Sequence, residues 1–227
     1  MRNRRLAGSA VSVALVLSAA AAEGEIRTER LSVKAVGRWQ GIVSIVEARD
    51  EAGRPVHPAL RALWYAVATN DCAVFVELPE PKGRRSCVVG EFTMTKVDAR
   101  GRALEAVLVM NLPAIDRAAS GPGAARRNGF IPFANLGKTE RYAEVLGHEL
   151  SHAVWALSDP ERARVAMTFA GEATEVSRRL LVAQSEGRDD GSLAAADQLA
   201  RLSRAYEAPA EAAEQTVWAE LVAGRRR

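Results

Sequence analysis

The stretch from Glu140 to Leu157 constrains this chain more than any other, because its pattern fits a helix covered on two sides. Advancing about 100° per residue from His148, Arg141, Glu144, His148, His152 and Trp155 share one face. Leu146, Leu150, Val154 and Leu157 take the other. The apolar face calls for a core, and a polar stripe that is also covered must find partners, since unpaired buried polar groups cost free energy. Within that stripe lies His148-Glu149-Leu150-Ser151-His152, an H-E-x-x-H element. Imidazoles four residues apart project from one helical face and can hold a metal ion, and the intervening Glu149 can serve as general base toward a water on that ion.

The rest of the chain sets the frame for that helix. Ala73 to Leu78, Glu91 to Val97 and Ala103 to Leu112 read as strands, as does the β-branched run Ile42 to Val46. Asp98-Ala99-Arg100-Gly101 suits the turn between the last two long strands. Pro58 to Thr69 reads as a helix. From about residue 139 the pattern is helical throughout: 139 to 157, then 160 to 187 opened by Asp159-Pro160, then 192 onward with an interruption at Pro209. The expected class is α+β, with a small mixed or antiparallel sheet and one helix first, followed by a helical half that carries the H-E-x-x-H helix. Residues 23–117 would form the sheet-rich half, 118–135 a flexible loop around Ser120-Gly121-Pro122-Gly123, and 136–227 the helical half of the same domain.

The first 22 residues combine Arg2, Arg4 and Arg5, an apolar run from Leu6 to Leu17, and the small-residue end Ser18-Ala19-Ala20-Ala21-Ala22. That is the pattern of a cleaved secretory signal peptide, and it implies a bacterial periplasmic or secreted protein without a stable membrane span. The formal charge of +3 comes from 31 basic and 28 acidic residues. Three of the arginines belong to the signal, so the remainder is near neutral and gives no ground for binding nucleic acid. The terminal arginines, Arg225 to Arg227, read as a solvated helix end. Cys72 and Cys87 flank a strand and a turn-like Pro79-Glu80-Pro81 segment, and in an oxidising compartment they are expected to pair as a disulfide.

A metal site built on His148 and His152 needs a third protein ligand and an open position. His57 lies far upstream, so a carboxylate is the natural choice. Glu207, Glu211 and Glu214 fall on the helical face that also carries Trp218 and Leu221, which implies that at least one of these acids is buried and needs a cation. Glu172, twenty residues beyond His152, is a further choice, but a helix starting at Pro160 would carry it about 10 Å past the histidines at 1.5 Å per residue. Arg141, Glu144, Tyr142 and Tyr206 are candidates for supporting the site or for stabilising an oxyanion.

With this motif and a downstream glutamate, the chain resembles the gluzincins, zinc peptidases of the H-E-x-x-H type whose third ligand comes from a later helix. Glu207-Ala208-Pro209-Ala210-Glu211 is similar to their E-x-x-A-D/E signature, which implies Glu207 as ligand and Glu211 as support for a histidine. Pro209 departs from that pattern and would make Glu211 the ligand if the helix began there. Glu214 and Glu172 remain alternatives. The resemblance implies Zn²⁺ as cofactor, Glu149 as general base and a peptide or protein as substrate. Because many zincins lay their substrate along an edge strand, Ala106 to Leu112 is a candidate docking strand, with an ordinary interior strand as the alternative. A non-catalytic binding or assembly factor of the bacterial envelope on the same scaffold is the rival expectation.

Overall fold

A hairpin and a pair of parallel neighbours build the sheet against which the H-E-x-x-H helix lies. The computed structural model describes residues 26–79, 89–120 and 133–225. In chain order these form β1 (Ile26–Arg27), α1 (Val33–Val46), α2 (Pro58–Ala68), β2 (Ala73–Glu77), β3 (Gly90–Val97), β4 (Ala103–Met110), α3 (Leu112–Ser120), α4 (Lys138–Leu157), α5 (Pro160–Ser185) and α6 (Asp189–Gly224). The class is α+β, with a small mixed sheet and a helical second half. The four strands run in the order β1-β2-β4-β3, parallel between β1 and β2 and between β2 and β4, and antiparallel between β4 and β3.

The β3-β4 turn has a simple chemical cause. Gly101 takes a φ of +79°, which a side chain would resist, and its N–H closes on the Asp98 carbonyl at 2.9 Å. The Asp98 carboxylate accepts from the N–H groups of Arg100 and Arg102 at 2.8 and 2.9 Å, which fixes the corner. Strand alternation then turns Val74, Val76, Phe92, Met94, Ala106 and Leu108 into the core. On the opposite face Arg30 bridges Glu77 and Glu105, each at 3.2 Å.

Three expectations are corrected here. Ile42 to Val46 is not a strand but the end of α1. Ser32 caps that helix by accepting from the Ala35 N–H at 3.3 Å, and Ala35, Trp39, Ile42 and Val46 recur on its buried side. β-branching lowers helix propensity only slightly, and burying a whole apolar face outweighs it. The sheet-rich half therefore carries α1 and α2, with α3 directly after β4, rather than one helix. Second, residues 118–120 are the last turn of α3 and not loop. Residues 121–132 of that expected loop lie outside the described residues, as do the expected signal peptide, residues 1–22, and Cys87. Third, α6 runs through Pro209 without a break. A proline inside a helix forfeits one backbone hydrogen bond, but Tyr206 and Ala210, on either side of it, are both buried, so packing holds the helix together across the gap.

Helix α4 is covered as its pattern requires: Leu146, Leu150, Ala153 and Ala156 are fully buried, and so is Glu144. Its first turn is closed by Glu140, whose carboxylate accepts from the Gly137 N–H. Asp159 then opens α5 by accepting from the Glu161 N–H at 2.7 Å, so only two residues separate the two helices. Helix α6 returns along both. It meets α4 at Gly147, where a Cβ would lie 2.8 Å from Val217 Cγ2, so the lack of a side chain at 147 sets how closely the helices cross. Two side-chain ties fix α6 at its far end. Glu220 accepts from the Ala59 N–H at 2.8 Å, capping α2, which has Pro58 in its first turn and no cap of its own. Arg225 donates to Glu140 and to the Asn135 carbonyl, the latter at 2.9 Å, while staying exposed; Arg226 and Arg227 lie outside the described residues. No helix among the described residues is long and apolar enough to cross a membrane.

Candidate metal centre

The crossing at Gly147 and Val217 places α6 against the polar stripe of α4, and three side-chain atoms converge there. His148 Nε2 and His152 Nε2 are 3.2 Å apart, and Glu207 Oε2 is 3.4 Å from each. With bonds of about 2.0–2.1 Å to nitrogen and oxygen, two ligands of a tetrahedral zinc stand about 3.3–3.4 Å apart. The separations of the near-equilateral triangle therefore match those between three corners of such a tetrahedron. Two imidazole nitrogens and one carboxylate oxygen are also the donor set of hydrolytic zinc sites. The His152 side chain is 5% exposed, His148 16% and Glu207 34%, so the histidines are largely buried and Glu207 is the most exposed corner.

In the metal-free chain His148 and Glu207 stabilise opposite charges on one another. Burial works against protonation of His148, but Glu207 and Glu214 outweigh it and push the ring up to about 10. Burial likewise works against ionised Glu207, yet the hydrogen bonds from His148 and His152 hold its carboxyl down at about 2. Such a pair is what a divalent cation would replace: the carboxylate is already charged, and the imidazolium proton is the group to be displaced.

The surroundings hold each ring differently. Glu214 Oε2 lies 3.3 Å from His148 Nδ1, behind the ring relative to Glu207. A carboxylate there fixes the tautomer that leaves Nε2 free to bind a metal. The carboxylate on His148 Nδ1 is that of Glu214, seven residues or two helical turns beyond Glu207 on one face of α6. The spacing was visible in the sequence; which acid faced the histidine depended on where α6 crosses α4. His152 is held by aromatic contact. Tyr206 stacks on it with centroids 4.1 Å apart, and Phe169 of α5 stacks on the other side of Tyr206 at 4.3 Å. Phe169 had no sequence signal, because its role comes from the α5-α6 pairing.

The remaining predicted residues divide clearly. Glu149 is 4% exposed, beside the triangle, and burial raises its carboxyl to about 8. His148 opposes that shift, and Glu207, Glu91 and Glu214 add to it. Tyr142 is not at the site: its hydroxyl donates to the carboxylate of Asp116 on α3, at 3.0 Å to the nearer oxygen. Glu172 is exposed on α5 and is not part of the cluster, as the helix-length argument anticipated. Cys72 is buried at the entry to β2, and its expected partner Cys87 is not among the described residues.

Arg141 and Glu144 support the site's flank. Phe133 and Asn135 take φ values of 63° and 60°, which costs non-glycine residues free energy and must be imposed by neighbours. Glu144 accepts from the Phe133 N–H at 3.1 Å, Trp218 donates to the Ala134 carbonyl at 2.9 Å, and Arg141 donates to the Leu136 carbonyl at 3.1 Å. Together with Arg225 they clamp the backbone of residues 133–136 between the starts and ends of α4 and α6.

No family model matches this chain, and neither a curated protein nor a solved structure is significantly similar to it.

Proposed function

We propose that the chain is a zinc-dependent metallopeptidase of the gluzincin kind, with His148, His152 and Glu207 holding the ion and Glu149 as general base. The observation that carries this reading is the triangle of Nε2, Nε2 and Oε2 atoms at 3.2–3.4 Å, with a buried carboxylate on the same helix turn. When bound, zinc would activate a water and polarise the scissile carbonyl. The protein's own groups do the rest. Glu149 has a raised affinity for a proton, which suits a base that takes one from water and passes it to the amine released when the C–N bond breaks. The Tyr206 hydroxyl, kept neutral by burial and then by the charges of Glu149, Glu207 and Glu91, is a donor available to a developing oxyanion. Glu214 keeps His148 in orientation.

The substrate strand is assigned to β3, not to β4. Strand β4 lies between β2 and β3 and has both sides occupied, whereas β3 pairs only with β4 among the described residues. The register identifies the free groups. Gly90 faces Met110, and Asn111 N–H donates to the Val89 carbonyl at 2.9 Å, so Val89 and Glu91 direct their backbone groups to β4 while Gly90 and Phe92 direct theirs away. An extended peptide pairing with Gly90 and Phe92 would run beside Glu149.

The test is digestion of a mixed peptide library by the zinc-loaded protein, with a chelator control and the Glu149→Gln variant. Chelator-sensitive cleavage that disappears in the variant, with zinc still bound, is the expected result. Full zinc occupancy with no cleavage of any peptide by the wild type would overturn the peptidase reading.

A further inference from the structure

We propose that Gly90 is a positioning residue: the space left by its missing side chain is the seat of the Glu149 carboxyl group. This goes beyond the metal-ligand set, and its catalytic consequence rests on the peptidase reading.

Strand alternation puts Gly90 on the same side as Phe92 and Met94, both buried toward α4. A Cβ built on Gly90 would stand 2.5 Å from Glu149 Oε1, 2.8 Å from its Cγ and 2.9 Å from its Cδ. The side chain of Glu149 therefore fills the volume that any other residue at position 90 would need. Gly137, Gly147 and Gly224 are also closely approached, by Arg225, Val217 and His57, but only Gly90 meets Glu149; Gly37, on α1, has nothing within 4 Å of the equivalent point. The carboxyl group of Glu149 is thus pinned between its own helix and the bare backbone of β3.

That placement matters because a catalytic group must be held within about 0.5 Å of its working position. An alanine at 90 would have to move Glu149 Oε1 by roughly 1 Å to restore an ordinary contact from the 2.5 Å found here. What gives way is the Glu149 side chain from Cγ outward, not backbone, so the fold and the His148, His152 and Glu207 triangle should survive. Displacement of the base alone, with the metal retained, is the signature that separates a seat from a general packing role.

The experiment is Gly90→Ala beside Gly37→Ala, each loaded with zinc. Crystal structures of both and of the wild type give the Glu149 position, metal analysis gives occupancy, and peptide hydrolysis gives kcat and KM. Expected for Gly90→Ala are a Glu149 carboxyl shifted by roughly 1 Å, one zinc per chain, unchanged KM and a kcat lowered on the order of a hundredfold; Gly37→Ala should match the wild type. An unmoved carboxyl group, or a β3 backbone that retreats in its place, overturns the proposal. If the wild type cleaves nothing, the peptidase reading fails on its own, and the crystallographic comparison still decides whether Gly90 seats Glu149.

Discussion

Tyr206 lies face to face on His152, with ring centroids 4.1 Å apart and planes within 11° of parallel. Glu207, the next residue in the chain, reaches the same histidine with its carboxylate at 3.4 Å. One turn of α6 thus grips His152 through its face and through its ring nitrogen together. This predicts a split between two Tyr206 variants. Tyr206→Phe keeps the stack and should keep zinc affinity within about threefold, while peptide hydrolysis falls about tenfold or more if the hydroxyl stabilises the oxyanion. Tyr206→Ala removes the stack as well and should weaken zinc binding on the order of 10–100-fold, as loss of a ligand-orienting group does. Competition titrations with a chromophoric chelator would measure both.

The ligand assignment makes a graded prediction for the acids. Glu207→Ala removes one corner of the triangle and should abolish stoichiometric zinc. Glu214→Ala leaves the corner in place but frees His148 Nδ1, so binding should persist while weakening by roughly 10–100-fold. Glu172→Ala, on the exposed side of α5, should change nothing. Metal analysis after dialysis against a weak chelator would rank the three, and zinc loss from Glu172→Ala would overturn the assignment.

Glu144 predicts a dependence of stability on pH. Its carboxyl is raised to about 8, chiefly by burial, against the ordinary 4.5 that applies in the unfolded chain. The folded protein therefore binds more protons than the unfolded one between about pH 4.5 and 8. Stability from this group is fully present below 4.5 and is lost as pH rises through 8, a change of a few kcal/mol. Glu144→Gln mimics the protonated acid and can still accept from the Phe133 N–H. Metal-free Glu144→Gln should melt above the wild type at pH 8 and close to it at pH 5. Equal melting temperatures at both pH values would show that Glu144 is ionised throughout.

The crossing of α4 and α6 can be tested at Gly147. A Cβ there meets Val217 at 2.8 Å, within two rigid helices that cannot easily yield. Gly147→Ala should cost about 1–3 kcal/mol through overpacking, despite alanine's better helix propensity, and should weaken zinc binding by moving Glu207 and Glu214 away from the histidines. Adding Val217→Ala should restore much of the zinc affinity by returning the space. Thermal melts and zinc titrations on the single and double variants would separate the two effects.

Much of the site was legible because its elements are local. Two histidines and a glutamate in adjacent helical positions define their own relative geometry, so the clustering of His148, Glu149 and His152 required only that the segment be helical. The β3-β4 turn was legible for the same reason, since Asp98 and Gly101 act within five residues. Ile42 to Val46 misled because its β-branched composition is a weak local preference, and the buried spacing of Ala35, Trp39, Ile42 and Val46 is a longer pattern that overrides it. Pro209 misled in the same way, through a local penalty that packing on both sides of it exceeds.

The sequence by itself determined the residue types of the candidate site, the helix that carries His148, Glu149 and His152 and the shared face of Glu207, Glu211 and Glu214 on α6, because helical periodicity depends only on spacing along one chain segment. The tertiary structure decided which glutamate reaches the histidines, which one backs His148, which strand lies at the edge among the described residues and where Glu149 is seated. Those outcomes follow from how two helices cross at Gly147 and Val217 and how β3 passes over α4. Such distances are set by side-chain volumes meeting between segments far apart in the chain, and no spacing within either segment encodes them.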